Sequence, residues 1–393
     1  MIRKNRLFTP GPTQLLPSAQ LAMAAATMHH RTAEFRALYT RVLADLRAFV
    51  GTKNDVVMFT ASGTGAMEAA VANLTSPGDN VLVVTAGKFG ERWEGLVKAY
   101  GCELETVRAP YGETVTPEQV REKLKAEHKV LYVQATESST GVRHDVAGIA
   151  KVLKGTDTLL VVDGITGLGT THFDVDGWGI DVLIGGSQKA VMVPPGLAYC
   201  SVSDRAWQRM ETTKNPRYYF DLRKERKNGA KGESAYTPST ALVAALGSAL
   251  DYIREQGGGD LASGRKQLVD NAELAAAMTR AAAKALGLKL FSASSPGAAL
   301  TAIASPDGVD SSDIVKAFRN QFGAIIANGQ GEMKGQLFRI AHLGYYDYLD
   351  TIAAIGALEH VLAGLGRAVE LGSGLRAAQQ VYAESTQPAV AAR

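Results

Sequence analysis

GGSQKAVMVPPG, residues 185–196, holds one lysine and no other charged residue. Two glycines, Ser187 and Gln188 precede Lys189; small and apolar residues and the pair Pro194–Pro195 follow it. A lysine is rarely buried without a partner. Burial disfavours its charged form and lowers its pKa. Such an amine can act as a nucleophile that forms a Schiff base. A lysine on a loop near the surface is the alternative reading, and for a lone lysine it is the more common one. The flanking sequence has to decide.

Immediately upstream, DVLIGG (181–186) reads as a short apolar strand, and so do TLLVVD (158–163) and KVLYVQ (129–134). Further back, VVMF (56–59) and NVLVV (80–84) are two more. Residues 33–50, 63–74 and 89–101 carry apolar side chains at helical spacing between them. Strands apolar on both faces, alternating with helices, indicate a parallel sheet covered on each side, the α/β class. A helix over 240–256 leads out of this unit, and Gly257–Gly259 breaks the chain. A helix over 260–287 follows. Short strands near 289–304 and 337–341 then flank helices at 310–321 and 348–365, which predicts a smaller α+β unit. The predicted organisation is an arm (1–20), a large domain (21–256), a small C-terminal domain (257–366) and a tail (367–393). Pro10, Gly11 and Pro12 forbid helix in the arm. The tail, rich in Ala, Gln and Ser, is expected to be ordered in part at most.

The bulk numbers exclude several classes. The chain has 393 residues, 46% hydrophobic, enough to bury sizeable cores. A net charge of +3 is too small to call for nucleic acid or another polyanion. No apolar run approaches the roughly 20 residues of a membrane helix. The basic start MIRKNR runs into LFTPGPTQ rather than an apolar segment, so no signal peptide is expected. Cys102 and Cys200 suit a reducing cytoplasm and have no metal-ligand spacing. Neither do His29 and His30, which read as structural or substrate-lining, and no metal is expected.

Ligands of open parallel sheets sit at the carboxyl ends of strands. Three polar groups fall there. TASGTG (60–65) turns into a helix, whose free N–H groups and dipole can hold a phosphate, with Ser62 and Thr64 hydroxyls adding bonds; glycines before a helix also serve as plain turns. No Gly-Lys-Ser/Thr follows, so it is not a Walker A loop. Asp163 ends an apolar strand, either capping the turn that follows or keeping a pyridinium nitrogen protonated. Lys189 lies just past the next strand. Phosphate cup, strand-end aspartate and buried lysine, in that order, are what pyridoxal phosphate requires.

On these residues the chain resembles the class V, fold-type I aminotransferases of the alanine–glyoxylate and serine–pyruvate group, from LFTPGPT to about residue 365. The matching stretches are TPGP (9–12), His30-Arg31 with Glu34-Phe35, SGTGAMEAA (62–70), GKFGERW (87–93), TESSTGV (136–142), VVDGITGLG (161–169), WGIDVLIGGSQKA (178–190) and PPG (194–196). The resemblance implies a mainly parallel seven-stranded sheet between helices and a pyridoxal 5'-phosphate cofactor. It implies that Lys189 carries the cofactor, that Asp163 pairs with its ring nitrogen, and that Ser62, Gly63, Thr64 and Gln188 lie at its phosphate. Phe89 takes the position of a stacking aromatic that is often Trp in the family, and Ser138 that of a hydroxyl on the phenolic oxygen. Arg339, in GQLFRIAHLG, would hold the substrate carboxylate through its guanidinium fork. Gly11 would wall the same pocket. A homodimer is implied, with each phosphate site completed from the neighbour by Tyr236, Thr237 or Thr240, of which Thr237 fits best. The implied activity is ping-pong transfer of an amino group from alanine or serine to glyoxylate or pyruvate. Phosphonate and ureidoglycine transaminases share the fold. A cysteine desulfurase is a lyase alternative, but Gln188 stands where those enzymes carry His, and neither cysteine suits a mobile nucleophile. A non-enzymatic hydrogenase-associated subunit is the remaining reading; the intact Lys189, Asp163 and Arg339 set argues against it.

Overall fold

The structure, a computed structural model, describes residues 2–25 and 28–386. Its strands in chain order are β1 (Arg6–Phe8), β2 (Asp55–Ala61), β3 (Asn80–Thr85), β4 (Glu103–Arg108), β5 (Val130–Gln134), β6 (Thr136–Glu137), β7 (Val142–Arg143), β8 (Leu159–Asp163), β9 (Val182–Gly186), β10 (Gly196–Val202), β11 (Leu300–Ala304), β12 (Ala324–Asn328) and β13 (Leu337–Ala341). Seven of them form one sheet in the order β2-β10-β9-β8-β5-β3-β4. Within it β10 runs antiparallel to both neighbours, and the pairs from β9 through β4 are parallel.

Successive side chains of a strand point to opposite faces. Val81, Val83, Tyr132, Val161 and Ile184 pack on one face with the helices Gly63–Leu74 and Lys88–Ala99. Leu82, Val84, Val133, Val162 and Leu183 pack on the other, with Ala33–Val50 and Thr240–Gln256. Each such side chain contributes about 1.5–3 kcal/mol by leaving water. Two covered faces are why these runs are apolar throughout instead of alternating. The α/β class expected from them is the observed one, and the seven strands match the fold-type I expectation.

A second sheet has the order β1-β12-β13-β11. The expected arm is therefore a strand in part: β1 pairs in parallel with β12, Arg6 opposite Ala324. Phe8 joins Ile303, Phe318, Phe338 and Ile340 in the core beneath. The strand expected near 289–304 is confined to β11, and Leu290 makes only an isolated bridge to Ile303. The tail carries a helix of its own. Ser373–Thr386 is a helix, and its Ala378 is buried against Met278, Ala282 and Ile355; residues 387–393 of that tail lie outside the described residues. Among the described residues no helix is long and apolar enough to cross a membrane.

Candidate active site

Beyond β9 the chain folds into a closed loop. Ser187 Oγ donates to the Pro194 carbonyl at 2.6 Å and accepts from Leu197 N–H at 3.2 Å. Val193 N–H donates to Ser187 O, and Met192 N–H to Lys189 O, both at 3.0 Å. The loop turns Lys189 inward, where it is 8% exposed. The arm lies across it. Thr13 donates from its N–H to Gln188 O and from its hydroxyl to Lys189 O, and Lys189 Nζ donates to Pro10 O. Gly11, at φ +146°, is so close that a Cβ there would stand 2.6 Å from Lys189 Nζ. Only glycine combines that backbone with that approach. Burial lowers the Lys189 pKa to about 8; Asp163 pulls it up, and Arg339 and Arg92 push it further down.

Asp163 ends β8, in register with Ile184 of β9 on one side and Gln134 of β5 on the other. Strand alternation sets it on the face of Val161, below the helix Gly63–Leu74. The adjacent ends of β8 and β9 thus bring Asp163 and Lys189 to one crevice, as expected from their positions. Asp163 Oδ1 accepts from Ile165 N–H at 2.9 Å. Burial pushes its carboxyl up to about 6; the Ile165 hydrogen bond, Lys189 and Arg92 pull it back.

Ser62 caps the helix Gly63–Leu74, its Oγ accepting from Gly65 N–H at 3.4 Å. A Cβ on Gly63 would lie 2.4 Å from Ile165 Cδ1, so the helix start abuts the loop after Asp163. Thr64 Oγ1 accepts from Arg92 Nη1 at 3.0 Å, and the Arg92 guanidinium stands 4.6 Å from the centre of the Phe89 ring. Gln188 Oε1 is buried with no hydrogen-bond partner among the described residues. An unpaired buried amide costs about 1–3 kcal/mol, and this one marks a place for a polar group. Glycines at close approaches, a helix start, an orphaned amide and a half-satisfied buried carboxylate fit a flat phosphorylated ring.

Arg339, on β13 of the smaller sheet, is 3% exposed. Nη1 donates to Ser138 O at 2.7 Å, Nε to Asn328 O at 3.2 Å, and Nη2 also to Asn328 O. Burial lowers its pKa to about 10 against the pull of Glu137. Glu137 is a site residue that sequence reasoning missed. Its Oε2 accepts from Phe89 and Gly90 N–H at 3.0 Å each, and Oε1 accepts from the N–H and the hydroxyl of Ser139. This buried carboxylate fastens the start of the helix bearing Phe89 to the turn bearing Ser138. Burial outweighs those donors and raises its pKa. In TESSTG an acid before two serines reads as a polar turn, and no periodicity signals that it is inside.

Tyr236 and Thr237 stand apart from the crevice. The Tyr236 hydroxyl donates to Tyr218 O at 2.7 Å, its ring stacks on Tyr219 with centroids 5.0 Å apart, and Thr237 is exposed. Both line a shallow cavity with His30 and Arg31. Thr240 opens the helix Thr240–Gln256. His29 Nδ1 accepts from Arg31 N–H at 3.3 Å, a local turn contact.

A buried amine poised near neutrality, a carboxylate beside it, an anion-receptive helix start and a buried guanidinium make an amine-transfer site. The family model for aminotransferase class-V matches residues 16–335. The chain belongs to the class-V aminotransferases. It is 39% identical to a protein named soluble hydrogenase, small subunit, from a Synechococcus, over 96% of this chain and 98% of that one. It is 34% identical to the L-aspartate–glyoxylate aminotransferase of Paracoccus denitrificans, over 99% of both. The crystal structure of pyridoxamine–pyruvate aminotransferase from Mesorhizobium loti superposes with a TM-score of 0.92 at 26% identity, covering 98% of each chain. This class-V chain is accordingly a pyridoxal phosphate-dependent transaminase of fold type I.

Proposed function

We propose that this aminotransferase moves an amino group from a small amino acid, alanine or serine, to glyoxylate or pyruvate in a ping-pong cycle. The observation that carries this is the state of Arg339. Two carbonyls occupy its Nε side and part of its fork, leaving N–H groups for one carboxylate. It is the buried guanidinium of the crevice, so the donor needs a single carboxylate and a short side chain. The acceptors follow the names of the relatives, glyoxylate in one and pyruvate in another.

In this reading Lys189 holds the cofactor covalently, and Asp163 faces its ring nitrogen. Ser62, Gly63, Thr64 and Gln188 hold its phosphate, Phe89 stacks on its ring, and Ser138 faces its phenolic oxygen. When bound, the cofactor supplies an electron-withdrawing ring for the donor's α-carbon. Lys189 Nζ, depressed to about 8 and so easily neutral, moves the α-proton. Asp163, brought down from about 6 by a cationic ring beside it, stays charged and holds that ring protonated. Gly11 and the arm close the pocket against water. Tyr236 and Thr237 face outward to complete the phosphate site of a second copy, which makes the enzyme a homodimer built from the arm, large and small domains outlined above. Two free buried thiols suit the cytoplasm.

Half-reactions test the reading. Holoenzyme mixed with alanine or serine, with no acceptor, should release one equivalent of keto acid and shift the cofactor absorbance. Aspartate reacting faster than either, as the name of the Paracoccus relative suggests, would move the donor class. The Synechococcus relative favours one other reading, a hydrogenase-associated subunit without catalysis. Purified protein that stays colourless with added pyridoxal phosphate would support it. A desulfurase is disfavoured because Cys102 and Cys200 are buried and burial raises both thiols.

A further inference from the structure

Arg92 lies on the surface of the helix Lys88–Ala99 and makes no ion pair among the described residues. Its neighbours Lys88, Glu91, Glu94 and Arg108 are all paired. Arg92 instead reaches back over the Phe89 ring to Thr64 Oγ1. One of its five N–H groups is used there, and the rest are claimed by no acid among the described residues. Its charge is felt at both Asp163 and Lys189.

The phosphate proposed to bind at Thr64 carries about −1.5 to −2 charges at neutral pH. Ser62, Gly63, Thr64, Gln188, Tyr236 and Thr237 are all neutral, and a helix start offers roughly half a positive charge. About one charge is left uncompensated. We infer that Arg92 is the cationic anchor of the cofactor phosphate, swinging one N–H from Thr64 Oγ1 to a phosphate oxygen. The inference rests on the phosphate site proposed above. It also leaves Arg339 as the sole carboxylate anchor for the donor.

The test titrates cofactor-free protein with pyridoxal phosphate and with pyridoxal, following cofactor absorbance rather than turnover. Arg92→Gln should weaken pyridoxal phosphate on the order of ten- to a hundredfold, the range of a charged hydrogen bond. Pyridoxal, with no phosphate, should bind as to the wild type, and Arg92→Lys should fall between. Equal effects on both ligands, or none on either, overturn the assignment. So does a loss of pyridoxal phosphate affinity in Arg31→Gln but not in Arg92→Gln, which would put the cation beside Thr237. Unchanged cofactor affinity with a selective loss of aspartate turnover would make Arg92 a substrate anchor instead. Thr64→Val separates the two levels. If it weakens pyridoxal phosphate and Arg92→Gln does not, the anchor alone is wrong; if neither does, the phosphate lies elsewhere.

Discussion

Arg339 Nη1 donates to the backbone carbonyl of Ser138 across 2.7 Å, tying β13 of the smaller sheet to the turn between β6 and β7. The same side chain keeps one N–H on each of Nη1 and Nη2 without a partner among the described residues, free for the carboxylate proposed above. Lysine cannot do both, because an ammonium lacks the planar fork. Arg339→Lys should raise the KM for the amino donor more than tenfold while cofactor affinity holds. Steady-state kinetics with a parallel cofactor titration check this. Unchanged KM would place the substrate carboxylate on another residue.

Gly11→Ala puts a methyl group where Lys189 Nζ now lies, on a backbone at φ +146° that L side chains rarely adopt. The arm or the lysine has to move. We expect cofactor capture to slow by an order of magnitude or more with the far-UV circular dichroism unchanged, since Gly11 is outside both cores. Capture at the wild-type rate would show that the arm yields without disturbing the amine.

Asp163 is raised from its ordinary 3.8 to about 6. The folded, cofactor-free protein therefore holds this proton more tightly than the unfolded chain. Stability from this group is fully present below 3.8 and is lost as pH rises through 6. Asp163→Asn should stabilise the cofactor-free protein above pH 6 by up to about 3 kcal/mol, with the gain vanishing toward pH 4. Denaturant melts at several pH values measure it. A loss of stability at neutral pH would mean that Ile165 N–H, Lys189 and Arg92 together outweigh the cost of burying the carboxylate.

Capture of the cofactor aldehyde requires neutral Lys189. Its rate should rise with pH through about 8 and level off well below the ordinary 10.5 of lysine. The negative charge of Asp163 raises the Lys189 pKa, so Asp163→Asn should move the midpoint lower. Stopped-flow absorbance over a pH series reads both, and a midpoint near 10.5 would show a solvated amine.

Lys189 and Asp163 were legible in the sequence because each is a lone charge at the end of an apolar run, and such a charge needs a chemical reason. The helix Gly63–Leu74 was legible to the residue, since Ser62 caps it and apolar positions fill it. Glu137 was not, because its burial depends on Phe89, some fifty positions away in sequence, supplying a backbone donor. β4 was missed because it is an edge strand whose Glu103, Glu105 and Arg108 face water or ion partners. β12 was missed because Ile325, its second residue, is 38% exposed and blurs the alternation. The outlying helix Ser373–Thr386 owes its order to a surface of Met278, Ala282 and Ile355 that exists only once the rest has folded.

The pairing of β1 with β12 has a consequence for biosynthesis. β1 has to wait for residues 324–326, more than three hundred positions later, before its ladder can close. Pro10 and Gly11, which roof the reactive amine, hang from that strand. A chain halted just before residue 324 can build the whole seven-stranded sheet, and Thr13 can bond the lysine loop, while β1 lacks the partner that fixes the roof from its far end. The roof over the amine is therefore pinned at its outer end only after that sheet is complete.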